Sequence, residues 1–212
     1  MMVFCKVSYM KYYKGASDKD IPYNGGRFVH ENGYGYEEYN FLERNMETWD
    51  DDSGIIANGT YCLGHVETKH TGGERNQLHI EKIMGCSSLS GKLVANGADV
   101  IWCATSNRDE TSVIGWYRNA KIYRRYQKVT DASGDERGYN VMAKSSDCVL
   151  IPDDHRHKHI WNVPSRKYTK AYGFGQSMLW YAKAEKAEQY LKRLSNDIEN
   201  YNGENWLRKY PE

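Results

Sequence analysis

The chain has 212 residues, 40% of them hydrophobic and 27% charged, which suits one globular domain with a sizeable core and disfavours disordered and fibrous classes. No apolar run approaches the roughly 20 residues that cross a bilayer, and the opening MMVFCKVSYMKYYKG sets lysines inside its apolar stretch, so neither a signal peptide nor a membrane anchor is expected. The formal net charge is only +1, so attraction to a polyanion must come from clustered charge.

Taken in chain order, residues 3 to 12 alternate, with Val3, Cys5, Val7 and Tyr9 on one face and Phe4, Lys6, Ser8 and Met10 on the other, the period of a strand. The stretch IPYNGGRFVHENGYGYEEYNF follows, where Asn24-Gly25-Gly26 and Asn32-Gly33 demand turns. It reads as an aromatic loop, and such loops often carry function. Further strands are expected at 60–66, 78–83, 99–104, 112–117, 121–126 and 148–151. Turn signals at Ala57-Asn58-Gly59, Ala95-Asn96-Gly97 and Ser133-Gly134-Asp135 suit a curled sheet or small barrel. Near the end, Trp180, Ala184, Ala187, Leu191, Leu194, Ile198 and Tyr201 recur at helical steps, predicting one amphipathic helix over about 177–201, capped by Ser177 and packed on the sheet. The expected fold is a single α+β domain over 1–212: a β-rich body over 1–165, a small curled antiparallel sheet or barrel, and that long C-terminal helix.

The five cysteines (Cys5, Cys62, Cys86, Cys103, Cys148) are odd in number and never paired as C-x-x-C, which argues against a disulfide framework or zinc knuckle and predicts reduced, mostly buried thiols in a cytoplasmic protein. Tyr and Trp outnumber Phe, at 18 and 6 against 4. Their polar tips suit half-wet grooves as well as a β-rich core whose phenols reach the surface.

The densest signal is ADVIWCATSNRDETSVIGWYRNAKIYRRYQ, read as two strands joined by a polar loop, a turn or bulge at Asn119-Ala120, and a third strand. Alternation puts Ile114 with Trp116, opposite Val113, Gly115 and Tyr117, and Gly115 leaves room for another backbone or a flat ligand. A base extruded from a nucleic acid needs ring faces and a few edge contacts. Trp102, Trp116, Tyr117 and Tyr123 would supply faces, and Asn119 and Asn40 the edge. Arg118, Lys121, Arg124 and Arg125 would sit near phosphates. By alternation Trp116 and Tyr117 point to opposite faces, so one of them, expected to be Trp116, would stack. The same aromatics could instead fill the core of a structural or protein-binding module.

The VFCKVSYMKYY, IWCAT and VIGWYRNAKIYR segments together resemble the PUA-like superfamily, with its EVE, YTH and ASCH domains, and more narrowly the reader domains found beside modification-dependent restriction endonucleases. The resemblance implies a small barrel with flanking helices that holds a modified base in an aromatic cage. It assigns Trp102, Trp116 and Tyr117 to that cage, while Tyr39-Asn40-Phe41 resembles the YTH stretch that supplies an asparagine and an adjoining aromatic. It also implies binding to DNA rather than RNA, with a nuclease as partner and no cofactor.

His155, His157 and His159 would share one face of an extended strand, as a metal site would require, although their spacing suits a surface stripe better. Arg156, Lys158, Arg166, Lys167 and Lys170 form a second basic cluster, and the DDHRHKHIW segment, Arg156 included, is expected to be solvated and phosphate-facing. Asp50 to Asp52 followed by Glu67-Thr68-Lys69 has the layout of a magnesium-dependent restriction-type nuclease using Asp52, Glu67 and Lys69. GFGQSMLWY, expected at a helix start, could hold an anion, but it matches neither a Walker loop nor a dinucleotide fingerprint. No G-x-S-x-G serine or activated cysteine supports hydrolase chemistry, so no catalytic residue is expected.

Overall fold

The computed structural model describes residues 1–68, 70–71, 74–75, 77–130 and 134–212. Its strands are β1 (Met2–Val7), β2 (Glu43–Met46), β3 (Trp49–Asp51), β4 (Gly54–Ile56), β5 (Gly59–Gly64), the short β6 (His70–Thr71) and β7 (Glu74–Arg75), β8 (Val94–Thr105), β9 (Thr111–Thr130), β10 (Glu136–Lys144), β11 (Cys148–Leu150) and β12 (Leu179–Trp180). The helices are α1 (Arg27–Asn32), α2 (Arg166–Thr169) and α3 (Glu188–Glu199). No helix among the described residues is long and apolar enough to cross a membrane.

The main sheet runs β12-β1-β8-β9-β10-β5-β2, with β11 added beside β9. It is mixed rather than antiparallel, because β1 pairs parallel with β8. The sheet curls, but its hydrogen-bonded path stays open, so the expected barrel is not formed. The 20-residue β9 pairs on one edge with β8 from Thr111 to Tyr123, and on the other with β11 at Gly115–Tyr117 and with β10 from Lys121 to Thr130. At Asn119, where φ is 51°, the ladder to β8 slips register, the bulge expected there.

Three apolar clusters sort the strand faces. The inner one takes Val3, Cys5 and Val7 of β1 with Trp102, Tyr117, Ile122 and Val141. The second, on the opposite face, takes Phe4, Ile101, Trp116 and Trp161 and is covered by α3 through Tyr190, Leu194 and Ile198. Their i, i+4, i+8 spacing places one helical stripe on the sheet. The third lies under the β3–β4 hairpin, around Ile56, Tyr61, Tyr123 and Tyr139. All five cysteines are buried and unbridged.

Several expected elements are corrected. The C-terminal helix begins at Glu188, because Leu179–Trp180 joins the edge of β1 opposite Cys5 and Phe4, and the Phe4 and Trp180 rings lie 4.4 Å apart. Residues 80–82 form a 3-10 turn instead of a strand. The stretches 112–117 and 121–126 fuse into β9, and Ala95-Asn96-Gly97 is a bulge inside β8 rather than a turn. Ile114 does not share a face with Trp116: it joins Tyr117 in the inner cluster, while Val113 joins Trp116 in the second. A register slip between the Trp102–Gly115 and Cys103–Val113 pairs flips the phase.

Gly115 does admit a close backbone, that of β11. A β-carbon there would sit 2.2 Å from the Val149 carbonyl oxygen and 2.8 Å from the Phe41 ring. Gly115→Ala is therefore expected to cost about 1–3 kcal/mol in urea melts by forcing β11 off β9.

Candidate functional site

The residues read as a base cage are dispersed. Trp102, Tyr117 and Phe41 pack edge to face in the inner core, at 5.3 and 5.5 Å between centroids, and all three are fully buried. Trp116 lies across the sheet against Trp161 and Tyr201. Trp102 and Trp116 thus flank no common pocket. Tyr123 is buried in the third cluster, where it and Tyr139 donate to Asp51, at 2.6 and 3.0 Å. Asn40 is also buried: its Nδ2 donates to the His65 carbonyl at 3.0 Å and its Oδ1 accepts the His65 amide at 2.8 Å, which ties the turn before β2 to the end of β5 and leaves no edge for a base.

Of the polar residues, Asn119 and Lys121 line a cleft of about 490 Å³ beside the β3–β4 hairpin, and Lys121 donates to Ser53 at 2.8 Å. Arg124 is held by Glu81 at 2.8 Å and by the Lys92 carbonyl at 2.7 Å. Arg118 lies 3.8 Å from Asp99, and Arg125 is exposed.

The other constellations also change. His155 and His159 sit in 3-10 turns, so the three histidines share no strand face. No group of three His, Cys, Asp or Glu side chains able to hold a metal occurs among the described residues. Asp52 bonds Gln127 on the β3–β4 hairpin, Glu67 lies at a different cleft, and Lys69 is outside the described residues. Gly173 and Gly175 precede β12, not a helix, which removes the helix-start anion site. Arg156 is not solvated: it is fully buried.

A cleft suited to a flat ligand lies elsewhere, at the C-terminal end of β1. It measures about 480 Å³ and takes Lys6 and Val7 from β1, Gly25 to Val29 from the aromatic loop and α1, Tyr36 and Glu37 from the turn before β2, and Glu67 from the segment after β5. β1 and β5 stand four places apart in the sheet, so only its curl brings these walls together. Asn24, at φ 56°, anchors the loop by donating to the Thr105 and Ser106 carbonyls, each at 3.1 Å. Gly25 has no room for a side chain, since a β-carbon would meet Val29 at 2.5 Å and Ser8 at 2.7 Å.

Rings form a column along this cleft. Phe28 lies near-parallel to Tyr36, at 5.8 Å and 16°, Tyr36 neighbours His65 at 5.4 Å, and His65 stacks on Tyr126 at 4.7 Å. The inner end is fixed, because the Tyr126 hydroxyl donates to the Val66 carbonyl at 2.9 Å and accepts the Thr68 amide at 3.0 Å. The outer rings are open, with Phe28 44% and Tyr36 53% exposed. Two carboxylates stand beside them. Glu37 accepts the Ser8 amide at 3.1 Å, and Glu67 lies 3.5 Å from His65 Nε2. Burial lowers the Lys6 pKa below its ordinary value. Such a site offers ring faces for stacking and fixed acceptors for amino hydrogens.

The sequence carries a signal for this cleft in the aromatic, glycine-rich loop 21–41, whereas the Glu67-Thr68-Lys69 pattern points only to a metal ligand. Comparison with protein-family models, with curated proteins and with solved structures returns no match.

Proposed function

We propose that the chain is a nucleic-acid-binding module that takes one base, turned out of its stack, into the cleft at the end of β1. The observation that carries this reading is the ring column ending in half-exposed Phe28 and Tyr36 beside the held carboxylate of Glu37. A base stacks on the outer end of the column, at Phe28 with Tyr36 behind it, and its exocyclic amine donates to Glu37 or Glu67, the pairing by which carboxylates read cytosine N4. The apolar side of the cleft, Val7, Val29 and Met178, accommodates a methyl substituent, which favours a modified base. The resemblance of the β1 and β8–β9 segments to modified-base readers supports DNA as the polymer and a role as the specificity part of a restriction or defence system, acting beside a nuclease.

The test is a binding screen over oligonucleotides carrying cytosine, adenine and their methylated forms. Each base–aromatic stack is worth about 1–3 kcal/mol, so Tyr36→Ala is expected to weaken binding at least about fivefold with the fold intact. Glu37→Gln, which keeps an acceptor for the Ser8 amide, is expected to reduce the preference among bases. Absence of oligonucleotide binding at low salt, or unchanged binding by Tyr36→Ala, overturns the reading.

A further inference from the structure

On the far side of the bridge between Tyr9 and Tyr23 lies a second cleft, of about 320 Å³. Lys11, Lys19 and Arg108 are exposed on its rim, and none of them forms an ion pair among the described residues. The two carboxylates of the cleft are already engaged. Asp20 accepts the amides of Lys11, Tyr12 and Tyr13 at 2.6, 2.8 and 3.2 Å. Asp153 accepts the Tyr9 hydroxyl at 2.5 Å and lies 3.8 Å from Arg156. The cleft lining thus carries three cationic side chains, Lys11, Lys19 and Arg108, against two carboxylates that are already engaged.

The scaffold under these cations is rigid. Arg156 donates to the carbonyls of Ile151, Met10 and Lys11, at 2.8, 2.6 and 2.6 Å. The Lys11 backbone is thus held at its amide by Asp20 and at its carbonyl by Arg156, while its side chain is exposed. Across the cleft, the Ser106 hydroxyl accepts the Arg108 amide at 3.2 Å, and Asn24 ties that turn to the aromatic loop. A preorganised backbone that presents exposed ammonium and guanidinium tips suits an anion.

We propose that this cleft is a phosphate site, holding the sugar-phosphate backbone next to the base bound on the other side of the bridge. The proposal takes its polymer from the base-binding reading above. Lys6 and Val7 line one cleft, and Tyr9 to Lys11 the other. Only Ser8 lies between Val7 and Tyr9, so two residue steps of extended chain, about 7 Å, separate the clefts, the scale of one nucleotide. The basic residues of β9 are less well placed: Arg118 sits by Asp99, which pairs with Met2 at the opposite end of β1.

The experiment titrates salt against binding of a single-stranded oligonucleotide carrying the preferred base, comparing wild type, the triple variant Lys11→Ala/Lys19→Ala/Arg108→Ala, Tyr36→Ala and the control Arg118→Ala/Arg125→Ala. Three lost phosphate contacts should lower the slope of log affinity against log salt by about 2. Preference among bases and the melting curve of the triple variant should not change, since its three side chains are exposed, and the control should keep the wild-type slope. An unchanged slope in the triple variant overturns the phosphate site, and if Tyr36→Ala still weakens binding the base reading survives. A reduced slope in the triple variant with unchanged binding by Tyr36→Ala supports the phosphate site and removes the base reading. A slope lost only in the control, or no binding by wild type, overturns the proposal.

Discussion

Trp102→Ala is expected to lose about 3–5 kcal/mol of folding stability, the range for removing a large buried aromatic, measured as a lowered urea midpoint. Trp102 is fully buried, and its indole fills the space left by Gly64, where a β-carbon would approach the ring to 2.5 Å. Its other side rests on Tyr117. Under the proposed base-binding function, any loss of oligonucleotide binding in this variant should follow the unfolded fraction and disappear where the protein is fully folded. Trp102→Phe should be much milder, because the indole N–H has no hydrogen-bond partner to lose among the described residues. A Trp102→Ala protein as stable as wild type but unable to bind would return Trp102 to the base-binding surface and refute its place in the core.

Arg156→Met should be comparably damaging, at about 3–5 kcal/mol, the cost of breaking a buried charged network by removing one member. The guanidinium satisfies three carbonyls that belong to two distant parts of the chain, and methionine fills its volume without donating to any of them. Asp153 would also lose its cation, although it keeps the Tyr9 hydroxyl. Arg156→Lys should recover little, since an ammonium cannot reproduce the planar fork. Urea melts of both variants decide the matter: a loss below about 1 kcal/mol would show that the guanidinium is dispensable.

The sequence displayed those features that depend on local pattern. Alternation in β1 correctly separated Val3, Cys5 and Val7 from Phe4. Trp116 and Tyr117 do face opposite ways, as adjacent strand residues must. Leu194 and Ile198 marked the buried stripe of α3. The helix start was misread because Trp180 and Ala184 happen to continue the same period while the chain is extended there and bonded to β1. β10 has a weak sequence pattern, because Gly138 and Asn140 interrupt its β-forming residues. Asn140 proves structural, accepting the Val66 amide at 3.0 Å and donating to the Val66 carbonyl at 2.9 Å.

The site was less legible, for a physical reason. A tryptophan suits a base cage and a core equally well, and the difference lies in what covers it. Cover here comes from distant segments: Trp161 and Tyr201 over Trp116, Phe41 against Tyr117. Arg156 likewise looked like part of a surface cluster, because two of its acceptors, on Met10 and Lys11, lie 146 and 145 positions away.

The parallel pairing of β1 with β8 has a kinetic consequence. Met2 meets Asp99, and on the other edge Phe4 meets Trp180, so the first strand cannot finish its pairing until some 180 residues have been made. Contacts of such sequence separation make folding slow. During synthesis β8 and β9 can form their hairpin early, leaving the apolar edge of β8 open to other chains until β1 docks. Yield of soluble protein should therefore depend on temperature and expression rate more steeply than equilibrium stability alone would require.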